Sequence, residues 1–379
     1  MKSFNPARLL IIGYISIITI GAILLYLPVA NVRPIKFIDS LFTSTSAVCV
    51  TGLVVRNTGL DFTKFGKGVI LLLIQLGGLG YMTITNFLFV IVRRRLSMRQ
   101  IALTQETIPY PFGKTEDFIR QIILFTFLFE AFGTILLSAR FYKLGYPLQR
   151  AIAFGLFHSI SAFCNAGFAL FTNSFIEFNS DPFIILTISF LVIIGGLGFV
   201  VLTDIHRFLR GLIKRVTLHT KIVLIFTLIL LLAGMFLILA LEYNGLLKNY
   251  SFSRKLLLAF FQSVVPRTAG FTGVDITQMK PASLFLNMIL MFIGASPGGT
   301  GGGIKTTTFF VITIAILHYL RGRKHVTAFG RMIVDGACRL AFIVFFLAIT
   351  VITTGIFILA PGKTLKKNPL GGDDAARRV

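Results

Sequence analysis

Six stretches of the sequence carry no charged side chain over about 20 residues, the length that crosses a bilayer as a helix. They are 9–32, 68–92, 183–203, 222–241, 281–304 and 340–362. A seventh, 118–139, is interrupted only by Arg120 and Glu130. In hydrocarbon every backbone N–H and C=O needs a partner within the protein, which leaves helices and closed barrels as the spanning structures. Runs this long and apolar predict helices. The pattern predicts an all-α, multi-pass membrane protein with about seven transmembrane spans. Charge content agrees, at 13% of residues against about 25% in soluble domains.

Between the spans one short stretch occurs three times. It reads Phe42-Thr-Ser-Thr-Ser-Ala-Val-Cys-Val-Thr-Gly52, then Phe157-His-Ser-Ile-Ser-Ala-Phe-Cys-Asn-Ala-Gly167, then Phe260-Phe-Gln-Ser-Val-Val-Pro-Arg-Thr-Ala-Gly270. Each copy is too short to cross a bilayer, and each is followed by an apolar residue and, further on, by a glycine cluster: 77–80, 195–198 and 294–298. Ordered landmarks recurring in register mark a repeat. Each unit reads as a span, a half-helix ending inside the membrane with a glycine strand, and a returning span. Asp39 and Ser40 are helix-start residues, predicting a first half-helix over 40–48. The units run 1–100, 115–215 and 216–325, and 326–360 is the first helix of an incomplete fourth. A polar tail, 361–379, follows.

The net charge of +23 raises the question of nucleic acid, but the basic residues alternate between the ends of the spans. Lys2, Arg8, Arg93, Arg94, Arg95, Arg99, Lys114, Arg120, Arg207, Arg210, Lys214, Arg215, Lys221, Arg321, Arg323, Lys324, Arg331 and Arg339 fall on one side. A smaller set, including Arg33, Arg56, Lys143 and Lys248, falls on the other. This bias places the N-terminus in the cytoplasm, with membrane lipid as the surrounding partner and no nucleic acid. Cys49, Cys164 and Cys338 show no metal-binding spacing and no disulfide framework. Cys49 and Cys164 share a repeat position and read as small apolar packing residues.

A cation that sheds water inside a bilayer needs oxygens in its place, and backbone carbonyls supply them without fixed charge. Glycine lets an extended strand approach the axis, and the preceding half-helix aims its negative C-terminal end at the cation. The carbonyls expected at the ion are those of Val50, Thr51 and Gly52, of Asn165, Ala166 and Gly167, and of Thr268, Ala269 and Gly270. Six glycines and a proline between Gly294 and Gly303 cannot hold a regular helix. Irregular backbone at membrane depth is tolerated where protein buries it or a water-filled cavity borders it, and this stretch is expected to line a pathway.

Taken together, Ser-Ala-Val-Cys-Val-Thr-Gly, Cys-Asn-Ala-Gly-Phe, Arg-Thr-Ala-Gly-Phe and Gly-Gly-Ile-Lys-Thr-Thr-Thr resemble the Trk/Ktr/HKT superfamily of potassium transporters, most closely the bacterial Ktr membrane subunit. The resemblance covers roughly 1–360. It implies four pseudo-repeats around one pore, K⁺ as the transported ion, and dependence on Na⁺ in many members. It also implies a homodimer, a cytosolic nucleotide-binding regulatory ring, and a gate at 294–305 that includes Gly298, Gly299, Gly301, Gly302, Gly303 and Lys305. Only three filter strands are present, and composition changes abruptly at Pro361. The expectation is a truncated or frame-shifted version of a complete transporter, which leaves transport by this chain alone open.

Other residues carry narrower expectations. Lys305 is read as a gate or pore-field charge, Arg267 as a brace donating to neighbouring carbonyls, and Glu130 as the partner of a basic residue on a neighbouring helix. His158 is read as a packed, hydrogen-bonded side chain. Gly294-Ala-Ser-Pro-Gly298 fits the nucleophile-elbow pattern, but no α/β sheet or His–Asp pair accompanies it. Ile304 breaks the phosphate-loop order before Lys305. No paired carboxylates or HExxH stretch suggest an enzyme. An alternating-access carrier usually shows inverted repeats, whereas these units run in one direction; a non-selective cation channel is the other rival.

Overall fold

The computed structural model describes residues 6–94, 115–323 and 325–359, with side chains described for 11–80, 119–323 and 325–358. Lys2, Arg95, Arg99, Lys114, Lys324 and the tail 361–379 lie outside the described residues, as do the side chains of Arg8, Arg93 and Arg94.

The first unit comprises α1 (Pro6–Tyr26), the short α2 (Phe37–Val48) and α3 (Lys64–Arg94). The second comprises α4 (Thr115–Lys143), α5 (Leu148–Phe163), α6 (Pro182–Leu197) and α7 (Phe199–Leu209). The third comprises α8 (Leu218–Glu242), α9 (Phe252–Val264), α10 (Pro281–Phe292) and α11 (Thr306–Leu320). A two-stranded hairpin, β1 (Thr327–Ala328) with β2 (Arg331–Met332), leads to α12 (Asp335–Leu359). Asp181 caps α6 by accepting from the Phe183 and Ile184 amides, with Pro182 at the first turn. Thr217 caps α8 through the Thr220 amide.

Three described helices are each long and apolar enough to span a membrane, Ile119–Lys143, Leu218–Glu242 and Asp335–Ile358; α6 with α7 makes up to four. Glycine breaks two of the runs that read as spans. At Gly198 (φ 92°) the run read as one return span turns through 97° between α6 and α7. The run 281–320 divides into α10 and α11 around residues 293–305.

The half-helices are set by a contact that recurs in every unit. The hydroxyls of Ser44, Ser159 and Ser263 each donate to a carbonyl of the preceding span, those of Ile18, Glu130 and Leu231, all at 2.7 Å. Three residues beyond each carbonyl stands a glycine: Gly21, Gly133 and Gly234. A Cβ at any of them would lie 2.4 Å from the serine oxygen. Leu73, Leu191 and Leu290 of the returning helices close the same spot. Interhelical hydrogen bonds in membranes are worth about 0.6 kcal/mol on average. These contacts therefore set depth and register more than stability.

The serines also correct the repeat register. They belong to Phe42-Thr-Ser44, Phe157-His-Ser159 and Phe261-Gln-Ser263. Phe261, not Phe260, is the third copy's counterpart, and the third copy is one residue shorter before its glycine. Hydrogen bonding shows the deletion. Thr51 and Ala166 donate five residues back, to Ser46 and Ser161, whereas Ala269 donates four back, to Val265. The first half-helix also starts earlier than expected, at Phe37; Asp39 lies in its first turn and pairs with Arg56 at 2.7 Å.

Candidate ion pathway

The three glycine strands converge. A Cβ on Gly52 would sit 2.6 Å from the Ala166 carbonyl oxygen, and one on Gly167 would sit 2.6 Å from that of Ala269. A Cβ on Gly270 would be 3.4 Å from the Gly167 Cα and 3.7 Å from the Thr51 oxygen. Stretches more than 100 residues apart thus meet backbone to backbone around one point.

The strands depart from the extended conformation expected from sequence. Val50, Asn165 and Thr268 have φ of 53°, 57° and 77°, and the glycines two residues on have 78°, 72° and 76°. The residue between each pair is not among those with positive φ. An ordinary strand sends successive carbonyls to opposite sides; alternating the sign of φ swings them toward the same side. A side chain in this region costs roughly 1–2 kcal/mol. Three such residues at equivalent positions are strain held by the surrounding fold, a mark of functional backbone.

Each half-helix ends just before its strand, at Val48, Phe163 and Val264. Three helix C-termini, each about −0.5 elementary charge, therefore border the convergence. The second strand is enclosed, with Asn165 1% and Ala166 0% exposed. The side between the first and third strands is open. There a cavity of about 870 Å³ is lined by residues including Val50, Thr51, Gly52, Thr268, Gly270 and Gly301.

The glycine-rich loop is closed at its base by backbone bonds from Ile304 to the Phe292 carbonyl and from Gly294 to the Ile304 carbonyl, each 3.0 Å. Its tip docks on the break between α6 and α7. Ser296 N donates to Gly196 O at 2.9 Å, Thr300 N to Gly195 O at 3.0 Å, and Phe199 N to Gly298 O at 3.1 Å. Two broken helices thereby satisfy each other's orphan backbone groups, which the membrane interior demands. The approach needs glycine: a Cβ on Gly198 would lie 2.4 Å from Pro297 O, and one on Gly299 would lie 2.7 Å from Gly196 O. Gly301, Gly302 and Gly303 line the cavity, and Gly301 abuts Thr268, whose Oγ1 would be 2.1 Å from an added Cβ.

Lys305 turns inward to its own loop, with Nζ donating to the Gly301 carbonyl at 2.7 Å. Arg267 donates to the Gly294 carbonyl at 3.3 Å, so it braces the loop rather than its own strand. Glu130 pairs with no basic residue among the described contacts. Gln75 donates to its Oε2 at 3.2 Å, and the Cys164 thiol lies 3.8 Å from its Oε1. His158 is a packed residue, as its surroundings require: Nδ1 lies 2.7 Å from Phe154 O, Nε2 accepts from Leu170 N, and Phe171 stacks on the ring. Of the two free cysteines at the shared repeat position, Cys164 is buried as a packing residue, whereas Cys49 is exposed and departs from that expectation.

The sequence matches the family described as "TrkH: Cation transport protein" over residues 6–369. The "Ktr system potassium uptake protein B" of Bacillus subtilis (strain 168) is 39% identical over 94% of this chain and 80% of that protein. The "Potassium/sodium uptake protein NtpJ" of Enterococcus hirae is 37% identical over 97% of this chain and 81% of that protein. In three dimensions the chain is similar to the crystal structure of the potassium transporter TrkH from Vibrio parahaemolyticus, with a TM-score of 0.69 over 96% of this chain and 74% of that one, at 19% identity. That likeness speaks for the fold.

Proposed function

The chain belongs to the family of TrkH cation transport proteins, and from that premise we propose that it takes up K⁺ across the cell membrane through the three converging strands. The observation that carries the reading is the set of backbone contacts Gly52–Ala166, Gly167–Ala269 and Gly270–Thr51. Carbonyls of Val50, Thr51 and Gly52, of Asn165, Ala166 and Gly167, and of Thr268, Ala269 and Gly270 replace water around the ion, aided by three helix C-termini. No side-chain charge is needed at the ion, and a large, weakly hydrated cation suits such a site.

The loop at 294–305 is the gate. It borders the cavity beside the third strand, and the Lys305–Gly301 bond fastens it in the conformation seen. The Bacillus relative's name supports K⁺ as the ion, and the Enterococcus relative's name, which pairs potassium with sodium, supports Na⁺ as a second one. A homodimer in the cell membrane, with a cytoplasmic N-terminus and a cytosolic nucleotide-binding regulatory ring, completes the reading. The naming of the Bacillus relative as part of a system supports the separate regulatory component.

The test is uptake of ⁸⁶Rb⁺ into proteoliposomes holding the protein, with K⁺ or Na⁺ as competitor. K⁺ is expected to displace ⁸⁶Rb⁺ uptake at concentrations about tenfold or more below Na⁺, a discrimination of about 1.4 kcal/mol. Equal competition by the two ions, or no uptake above protein-free vesicles, removes the proposal.

A further inference from the structure

We infer that the Thr300 hydroxyl couples the glycine-rich loop to the second pore strand, so that movement of the loop changes the ion preference of the pathway. The inference rests on the pore reading above and adds a positioning residue to it. Asn165 Nδ2 donates to Thr300 Oγ1 at 2.6 Å across 135 residues of sequence. The same hydroxyl donates to Phe163 O, the last residue of the half-helix, at 2.9 Å. Thr300 N donates to Gly195 O at 3.0 Å.

The proton count fixes the direction of this chain. A hydroxyl has one hydrogen, and Phe163 O can only accept it. Thr300 must then accept from Asn165, which turns the amide nitrogen toward the loop. The other amide atom, Asn165 Oδ1, is buried with no hydrogen-bond partner. The side chain is therefore anchored, among the described contacts, through Thr300 alone, while its backbone holds the left-handed φ of 57°. Both residues are buried, Asn165 at 1% and Thr300 at 5% exposure, with Thr300 also bordering the cavity. Gly195 leaves room for the junction, since a Cβ there would stand 2.9 Å from Thr300 Oγ1.

The other strands lack this tie. Val50 has no polar side-chain atom, and Thr268 Oγ1 touches the loop at Gly301 but has no hydrogen-bond partner. The loop thus holds the left-handed residue of the second strand by a side-chain hydrogen bond, whereas it meets the third strand through the Arg267–Gly294 bond one residue earlier and through packing of Gly301 on Thr268. When Thr300 leaves, Asn165 loses its anchor in a buried site, and the carbonyls on either side of it lose their fixed direction. A gate built this way changes selectivity as it moves.

Thr300→Val keeps the shape and removes the hydroxyl; Thr300→Ser keeps the hydroxyl. In proteoliposomes holding the whole chain, the K⁺-over-Na⁺ preference of ⁸⁶Rb⁺ uptake is expected to fall about tenfold in Thr300→Val, the scale set by an orphaned buried donor. In Thr300→Ser it stays within about twofold of the parent. Thermal unfolding in detergent with KCl or NaCl gives a second readout, independent of flux. The extra stabilisation by K⁺ over Na⁺ is expected to shrink in Thr300→Val and persist in Thr300→Ser. Should Thr300→Val not fold, Thr300→Ala is read the same way. Unchanged ion preference in the hydroxyl-free variant, with Gly167→Ser losing it, overturns the coupling and leaves the pore standing. A parent protein that shows no preference in either assay takes down the pore reading and this inference with it.

Discussion

A Gly195→Ala protein is expected to lose most of its folded yield, though the change adds one methyl group. The added carbon would stand 1.9 Å from the Phe163 carbonyl oxygen and 2.9 Å from Thr300 Oγ1. Neither neighbour can give way cheaply. The carbonyl belongs to backbone at the end of a half-helix, and it accepts the Thr300 hydroxyl. Overpacking of this kind costs about 3 kcal/mol at the upper end of its usual range, a large share of the margin by which proteins stay folded. The first unit holds the same arrangement, where a Cβ on Gly77 would lie 2.1 Å from Val48 O. Gly13 is the control: nothing lies within 4 Å of its missing Cβ, so Gly13→Ala should stay within about 0.5 kcal/mol of the parent. Thermal unfolding in detergent and monodisperse yield distinguish the two. Equal behaviour of both variants counts against the close backbone approach.

Gly167→Ser is the second large effect, and it falls on ion preference. The new side chain meets two obstacles. Its backbone sits at φ 72°, where a Cβ costs roughly 1–2 kcal/mol, and its Cβ is placed 2.6 Å from the Ala269 oxygen and 3.1 Å from the Gly270 Cα. The second and third strands must separate, which moves their carbonyls away from a common ion. A loss of discrimination of about 1.4 kcal/mol lowers the K⁺:Na⁺ ratio tenfold. Competition against ⁸⁶Rb⁺ uptake measures it, and a ratio equal to the parent's removes Gly167 from the pore lining.

How much of this the sequence holds can be judged residue by residue. Uncharged runs and thrice-repeated glycines announce half-helices beside spans, because hydrocarbon admits few other solutions for the backbone. The third repeat's register was within reach as well. The Phe-x-Ser triplet ending at Ser44, Ser159 and Ser263 marks it, and Phe260, one residue earlier, lies outside that triplet. The bend at Gly198 was harder to see. A glycine in an apolar run is tolerated within membrane helices, and only the loop from residues 293–305 inserting beside it makes the break necessary.

Two features had no local signal. The alternation of φ at Val50, Asn165 and Thr268 opposes the preferences of valine and threonine, and the packing of neighbouring units imposes it. The Asn165–Thr300 bond joins positions whose residue types are ordinary in either context. Arg267 and Glu130 show the same limit from another side: a charge inside a span calls for a partner, but its identity comes from the fold. For Glu130 the partners are Gln75 and Cys164 rather than a cation. For Arg267 the partner is a carbonyl of the loop.

The central claim is that a monovalent cation sits where the three strands meet, held by main-chain oxygen. Crystals grown in thallium(I), a heavy stand-in for potassium, test it directly through anomalous scattering. The expected result is a peak bordered by the carbonyls of Thr51, Ala166 and Ala269. A thallium-loaded crystal whose only peaks lie elsewhere, with nothing among those three oxygens, contradicts it.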